Sequence, residues 1–248
     1  MFFDWSPQQL IHLDQATSTN DDAFTMLQHQ PACLLWTTHQ TGGRGSRGRS
    51  WLSPPGHGLA LSMGCSPAPA RPDQFCYPIF AAVALHEVLC DLAPGASWTL
   101  KWPNDLLLDG RKLAGILCES RWVGKQVAVV IGIGVNLKRH AGMENLPKGY
   151  AALDELPDPP QAEQLVRQLF FTLPLQFEKL AQPALLTAAW QQRCGFPLGT
   201  RVTLTANGRT LSGTYEGLNL EGNLKVRDDY HQLHQIAQNC DDFALTPL

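Results

Sequence analysis

Apolar residues recur along this chain with two different periods, and the two periods divide it into helical and extended segments. Phe75, Ile79, Ala82, Val83, His86 and Leu89 return every three or four positions, which predicts a helix over 73–92 with a buried face. Thr17-Ser18-Thr19-Asn20, followed by Asp21-Asp22 and the run Ala23, Phe24, Met26, Leu27, reads as a helix start, with capping side chains and then carboxylates at the positive helix end. Amphipathic spacing predicts two more helices, over 161–182 and 183–193. Between them lie β-rich runs that predict strands over 33–38, 59–65, 97–102, 106–108, 112–120 and 125–137. Asp109-Gly110 joins two of these as a type I′ hairpin signal.

The segment 138–160 is looser, rich in Pro, Gly and charge. Past Gly195-Phe196-Pro197 the texture changes again. Runs at 201–206 and 209–212 flank Asn207-Gly208, a second hairpin signal, and short strands follow at 223–227 and 231–237. Closely spaced short strands predict a small β-barrel. About fifty residues bury little core alone, so this unit is expected to dock on the larger one. The chain therefore divides into 1–195 and 196–248, an α+β unit followed by a barrel.

Composition narrows the class. Of 248 residues 44% are apolar, enough for a sizeable core, and the formal charge of −3 argues against a protein that coats nucleic acid. Every eighteen-residue stretch contains charge or strong polarity, and the start Met-Phe-Phe-Asp-Trp lacks the basic and apolar regions of a secretory signal. Seven cysteines, odd in number and without a C-x-x-C pair, sit mostly among apolar neighbours as reduced thiols do. The expectation is a reduced, cytoplasmic protein.

Four segments carry chemistry. In Gly42-Gly43-Arg44-Gly45-Ser46-Arg47-Gly48-Arg49-Ser50-Trp51 three of nineteen cations lie within six residues, interleaved with glycines. Such a loop can turn backbone N–H groups and planar guanidinium donors toward phosphate oxygens; the alternative is a mobile basic loop without a ligand. Gly43-x-Gly45-x-x-Gly48 matches the dinucleotide fingerprint in letters only, because Ser53-Pro54-Pro55 forbids the helix that fingerprint needs. No Gly-Lys-Ser/Thr of a P-loop is present. What remains is an Arg/Gly lid able to order over a phosphate-bearing ligand. In Lys101-Trp102-Pro103-Asn104-Asp105 the proline ends a strand and leaves Asn104 and Asp105 at a strand end or an ordinary turn. In Arg111-Lys112-Leu113-Ala114-Gly115-Ile116-Leu117 a lysine enters a strand beside small residues, facing a ligand or simply solvent. Ile131-Gly132-Ile133-Gly134-Val135-Asn136 places two glycines in a buried strand, which calls for a bulge or a close ligand approach. The histidines show no metal-ligand spacing, His231-x-x-His234 reads as solvated, and no nucleophile motif such as G-x-S-x-G is present.

In this order, together with Ser18-Thr19-Asn20, Gln40-Thr41 and Gly217-Leu218-Asn219 with Gly222, these segments resemble the class I biotin protein ligases. The resemblance implies the mixed sheet of the biotin/lipoate ligases, like that of class II aminoacyl-tRNA synthetases, with helices and a small C-terminal SH3-like barrel. It implies that biotin and MgATP give biotinyl-5′-AMP and pyrophosphate, and that a lysine of a biotin carboxyl carrier protein, of acetyl-CoA carboxylase or another biotin-dependent carboxylase, then takes the biotinyl group and releases AMP. Cations against phosphate charge and a lid against water suit that chemistry.

Carried over by motif, Ser18, Thr19 and Gln40 would bind the ureido group and Trp51 would pack along the ligand. Arg44 would hold carboxylate and phosphate, with Arg47 and Arg49 closing the loop. Lys112 would bridge the biotin carbonyl and the phosphate, and Gly115 would let the ligand near its strand. Asn104, Gly134 and Asn136 would line the adenylate, with Mg²⁺ arriving on ATP near Asn136 rather than at a dedicated protein site. Asp105 would orient or deprotonate the acceptor lysine, an amine with an ordinary pKa of about 10.4. The sequence departs from the family at Ser46, where a second arginine often stands. Only seventeen residues precede Ser18, against the roughly sixty of a DNA-binding helix-turn-helix unit in some relatives, so no operator binding is expected. Relatives often pair through the sheet, which makes a homodimer one expected assembly. The competing readings are a lipoate-type ligase, a non-catalytic biotin sensor and an RNA-binding module. The last lacks a second basic patch and a stacking platform.

Overall fold

The computed structural model describes residues 10–66, 76–143, 149–177, 182–206, 209–237 and 244–247. A seven-stranded sheet forms its centre, built from β1 (Leu10–His12), β2 (Ala32–Thr37), β3 (Gly58–Cys65), β4 (Trp98–Lys101), β5 (Asp105–Leu108), β6 (Arg111–Val123) and β7 (Gln126–Asn136). The spatial order is β1-β2-β3-β7-β6-β5-β4, with β1 and β2 parallel and every other pair antiparallel, so the sheet is mixed as expected. β1 has no counterpart in the sequence reading, because three residues are too short to show a period. Asp109 and Gly110 both adopt positive φ, 50° and 74°, as a two-residue type I′ hairpin between β5 and β6 requires.

The period of two in the strands sorts side chains between two faces. Leu59, Leu61 and Met63 of β3 and Val129, Ile131, Ile133 and Val135 of β7 join one core with α2 (Cys76–Leu92), α3 (Ala162–Phe177) and α4 (Pro183–Arg193). α2 is apolar nearly all round, as expected of a helix wedged between a sheet and two other helices. The opposite face carries Ala128 and Val130, against which Ala23 and Phe24 of α1 (Thr19–Met26) and Leu27, just past its end, pack. Farther along that second face the residues are small: Ala60 is paired with Gly134 and Gly134 with Gly115, while Ser62 is paired with Gly132. The glycines of the Ile-Gly-Ile-Gly strand thus all point to one side.

The C-terminal strands β8 (Arg201–Ala206), β9 (Arg209–Leu218), β10 (Leu224–Asp228), β11 (Leu233–Ile236) and β12 (Ala244–Pro247) form an antiparallel sheet in the order β11-β10-β9-β8-β12. The expected barrel is not closed among the described residues, since β11 and β12 are the two edges of this sheet. β9 runs six residues past the predicted end, and β12 was not foreseen; the Asn207-Gly208 turn lies outside the described residues. Val202, Leu204, Tyr215, Leu224 and Val226 share the core of the larger unit. Trp102 Nε1 donates to Gly222 O at 2.9 Å, and Asn219 Oδ1 shapes that turn by accepting from the N–H groups of Glu221 and Asn223. The Lys-Trp-Pro-Asn-Asp and Gly-Leu-Asn motifs therefore also join the two sheets.

Candidate active site

A cavity opens over the small-residue face, between α1, the 43–51 loop and the segment around Tyr150. Ser18, Thr19, Asn20, Gln40, Arg44, Arg49, Trp51, Asn104, Lys112, Gly115, Gly134 and Asn136 all line it. Residues far apart in sequence meet here because β3, β6 and β7 are neighbours. Arg47 is not among the lining residues, and Asp105 reaches the site through Lys112.

At one end the polar groups are short and buried. Ser18 occupies the N-cap position of α1, yet its hydroxyl makes no capping hydrogen bond, so the expected capping role does not consume it. Gln40 Oε1 accepts from Thr19 N at 2.9 Å and from Thr19 Oγ1 at 3.2 Å. Ser62 Oγ lies 2.8 Å from Thr19 Oγ1 and 2.7 Å from Asn20 Oδ1. The sequence reading missed Ser62. Its signal was the large–small alternation Leu59-Ala60-Leu61-Ser62-Met63-Gly64, which marks a face on which something packs close to the backbone.

The Arg/Gly loop is a hydrogen-bonded arch. Gly45 N–H donates to Arg49 O at 2.7 Å and Trp51 N–H to Gly43 O at 2.9 Å, so these amides serve the loop itself. Arg47, at φ 62°, and Gly48, at φ 69°, make the left-handed bend at its tip. Arg44 grips Asp21 with two hydrogen bonds, of 2.6 and 3.0 Å, and reaches Glu119 Oε2 at 3.0 Å. Arg121 joins the same group through Asp21 at 2.7 Å. Hydrogen bonds from Arg44, resisted by burial and reinforced by Arg121, hold the Asp21 carboxyl below the usual range. Burial pushes Glu119 up, but donors on Asn20 and Arg44 outweigh it and the carboxyl ends low. Asp21, read from the sequence only as a helix-start carboxylate, and Glu119 and Arg121, which no motif singled out, thus anchor the Arg44 side of the site from outside its lining.

The Trp51 indole lies on the glycine floor. A Cβ on Gly134 would come within 2.6 Å of Trp51 Cε2, and one on Gly115 within 3.0 Å of Trp51 Cζ3. The close approach predicted for these glycines is made here by Trp51, whose Nε1 is buried without a hydrogen-bond partner. Lys112 Nζ stands 5.6 Å from the indole centroid and 2.6 Å from Asp105 Oδ1. The Lys112 backbone is pinned, since Ala151 N–H donates to its carbonyl at 2.9 Å and Asn136 Nδ2 donates to Ala151 O at 3.0 Å and Lys112 O at 3.4 Å. Asn136 thus spends its amide nitrogen on positioning Lys112. Asn104 Nδ2 likewise donates to Ile116 O at 2.7 Å, fixing β5 to β6.

Elsewhere, no group of three His, Cys, Asp or Glu positioned to hold a metal occurs among the described residues. His234 is not simply solvated, because its Nε2 meets Asp228 Oδ2 at 2.8 Å. Burial raises the thiols of Cys33 and Cys65 to about 12, so they are inert core groups.

A family model described as the biotin/lipoate A/B protein ligase family matches residues 10–136, just over half of the 248. The chain belongs to that family. Among its relatives, the bifunctional ligase/repressor BirA of Escherichia coli K12 is 32% identical over 222 residues, covering 86% of this chain and 67% of the relative. A biotin–[acetyl-CoA-carboxylase] ligase of Paracoccus denitrificans is 38% identical over 128 residues, 50% of this chain and 53% of that one. Among solved structures of the family, the biotin protein ligase of Aquifex aeolicus in complex with biotin and ATP superposes with a TM-score of 0.80 at 21% identity. It covers 97% of this chain and 100% of that one. That likeness shows the fold.

Proposed function

We infer that this chain is an ATP-dependent biotin protein ligase. The observation that carries the reading is one cavity lined by two unlike sets of groups. Ser18, Thr19 and Gln40 offer buried polar groups, and Arg44, Arg49 and Lys112 offer cations, over a floor of glycines. A ligand suited to it is a flat polar ring on an apolar chain that ends in an anion.

In this reading the carboxylate of biotin attacks the α-phosphorus of ATP, the bond to the bridging oxygen breaks, and pyrophosphate leaves. Lys112 faces the forming acyl phosphate and offsets its charge. Arg44 releases Asp21 and Glu119 to meet carboxylate and phosphate, and Arg49 lies on the same wall. Arg47, at the loop tip, joins only if the arch folds inward. In the second step the ε-amine of an acceptor lysine attacks the acyl carbon, AMP leaves, and the amine gives up a proton. Asp105, beside Lys112, is positioned to orient that amine. Mg²⁺ would come with ATP and offset its phosphate charge. The side-chain amide nitrogen of Asn136, the residue expected near it, is committed to the chain. The acceptor is a biotin carboxyl carrier protein, and the working unit divides at 195/196. We place the protein in the cytoplasm; among the described residues no helix is long and apolar enough to cross a membrane.

The test is ATP–pyrophosphate exchange with biotin and, separately, with lipoate, repeated with Lys112→Ala. Exchange that needs biotin and disappears in the variant supports the reading. Exchange with lipoate alone makes the chain a lipoate-type ligase, and none with either acid overturns adenylation.

A further inference from the structure

Ser62 lies on β3, fully buried, and is not among the residues that line the cavity. Its Oγ is nevertheless within hydrogen-bonding distance of two residues that are, Thr19 and Asn20. An amide oxygen only accepts, so the Thr19 hydroxyl proton goes to Gln40 Oε1, and the single proton of Ser62 is shared between Asn20 Oδ1 and Thr19 Oγ1. Asn20 is fixed in that orientation from its other end, where Nδ2 donates to Glu119 Oε2 at 2.8 Å and to Leu117 O at 3.4 Å. The side chain of Asn20 sits over Gly132, the strand partner of Ser62, where any Cβ would overlap Asn20 Oδ1. Thr19 in turn holds Gln40 by its N–H and hydroxyl.

These contacts form one chain, from Glu119 through Asn20, Ser62 and Thr19 to Gln40. The neighbours of Ser62 on the same face of β3 are Ala60 and Gly64, so packing alone asks only for a small side chain there. The hydroxyl is the feature that needs explaining. A buried polar group persists where it is satisfied and fixes its partners.

We propose that Ser62 is a positioning residue for biotin recognition: it locks the Thr19 hydroxyl, and through it the Gln40 carboxamide, in the orientation that receives the polar ring of the ligand. This rests on the ligase reading above. Glu119 extends the arrangement, because the carboxyl oxygen that takes the Asn20 amide also takes Arg44, at 3.0 Å. Asn20, next to Thr19, and the cation Arg44 therefore share one anchor.

The experiment is pyrophosphate exchange by the full chain with biotin and ATP varied separately, for wild type, Ser62→Ala, Thr19→Val and the double variant. Ser62→Ala is expected to raise KM for biotin about tenfold, while KM for ATP and kcat stay within about twofold. The double variant is expected to be no worse than Thr19→Val alone, since Ser62 acts through Thr19. Gly132→Ala is the second approach: its Cβ evicts Asn20 while every polar group is kept, and it too should raise KM for biotin selectively. Effects of Ser62→Ala and Thr19→Val that multiply overturn the proposal. So does a uniform change in both KM values and kcat, or an unchanged biotin KM in Ser62→Ala and Gly132→Ala. If Ser62→Ala does not fold, Ser62→Gly takes its place in the same comparisons. Wild-type protein that exchanges nothing with biotin overturns the ligase reading, and this proposal falls with it.

Discussion

Lys112 Nζ and Asp105 Oδ1 stand 2.6 Å apart on adjacent strands, each three-quarters buried. The pair puts the cation expected at the phosphate next to the carboxylate expected at the acceptor amine, so one substitution at each separates the two steps. Lys112→Ala is expected to lower pyrophosphate exchange by at least a hundredfold, as loss of a preorganised charge at the reacting atoms does. Asp105→Asn keeps the shape of the site, and should lower biotin transfer to a carrier domain about tenfold more than it lowers exchange. Single-turnover transfer from isolated adenylate checks this; equal losses in both steps would show that Asp105 serves adenylation as much as transfer.

The glycine floor gives a graded prediction. Gly134→Ala puts a methyl against three indole atoms within 2.9 Å, whereas at Gly115 the nearest are Trp51 Cζ3 at 3.0 Å and Lys112 Nζ at 3.3 Å, the second at the end of a flexible chain. Biotin affinity, read by calorimetry, should fall tenfold or more in Gly134→Ala and less in Gly115→Ala, on the order of the cost of core overpacking. The reverse order would mean that Trp51 does not rest on Gly134.

Arg44 is occupied before any ligand arrives. Raising its affinity for external anions therefore requires only weakening its partners, and Asp21→Asn should tighten AMP binding roughly two- to fivefold, the range of a partly exposed ion pair. The pH dependence follows from the depressed carboxyls. A carboxylate held low stabilises the fold above its unfolded pKa, and that contribution disappears as pH falls through the folded value. The Tm difference between wild type and Asp21→Asn/Glu119→Gln should be constant near neutrality and shrink below about pH 4. Thermal melts at pH 7 and pH 3 check it, and a gap that widens in acid contradicts it.

Ser46, where the motif resemblance leads one to expect an arginine, receives Arg49, whose Nη2 donates to Ser46 Oγ at 3.2 Å. Ser46→Arg adds a cation to the cavity wall and releases Arg49 toward the phosphates. Adenylate release, followed by stopped-flow with labelled biotinyl-AMP, should slow about tenfold. An unchanged rate would show that the serine costs the enzyme no grip.

Acidification should also weaken the protein through His86. Its Nε2–H donates to Trp98 O at 3.3 Å, which leaves Nδ1 to accept from the Cys90 thiol, and burial keeps the ring neutral below the ordinary imidazole pKa. The unfolded chain takes up that proton first, so stability should fall as pH drops through about 6.5. In His86→Gln that part of the slope should vanish, and an identical denaturation slope between pH 7 and 5.5 would contradict the buried neutral ring.

By itself the sequence determined whatever is written in short range. Helical and two-residue periods placed α2, α3, α4 and most strands of the large sheet. Asp109-Gly110 set its hairpin because φ values above zero suit those residue types, and the ordered motifs carried the family. The tertiary structure decided what depends on which strands become neighbours. Gly115, Gly134 and Ala60 form one floor, and Ser62 meets Asn20, only because β6, β7 and β3 pair in that order and register. Asp21 and Glu119 look like ordinary surface charges until β6 and α1 bring them to Arg44. The second sheet stays open among the described residues, with β11 and β12 as its two edges. Register is a long-range property of pairing, and the chemistry of this site lies across the strands rather than along them.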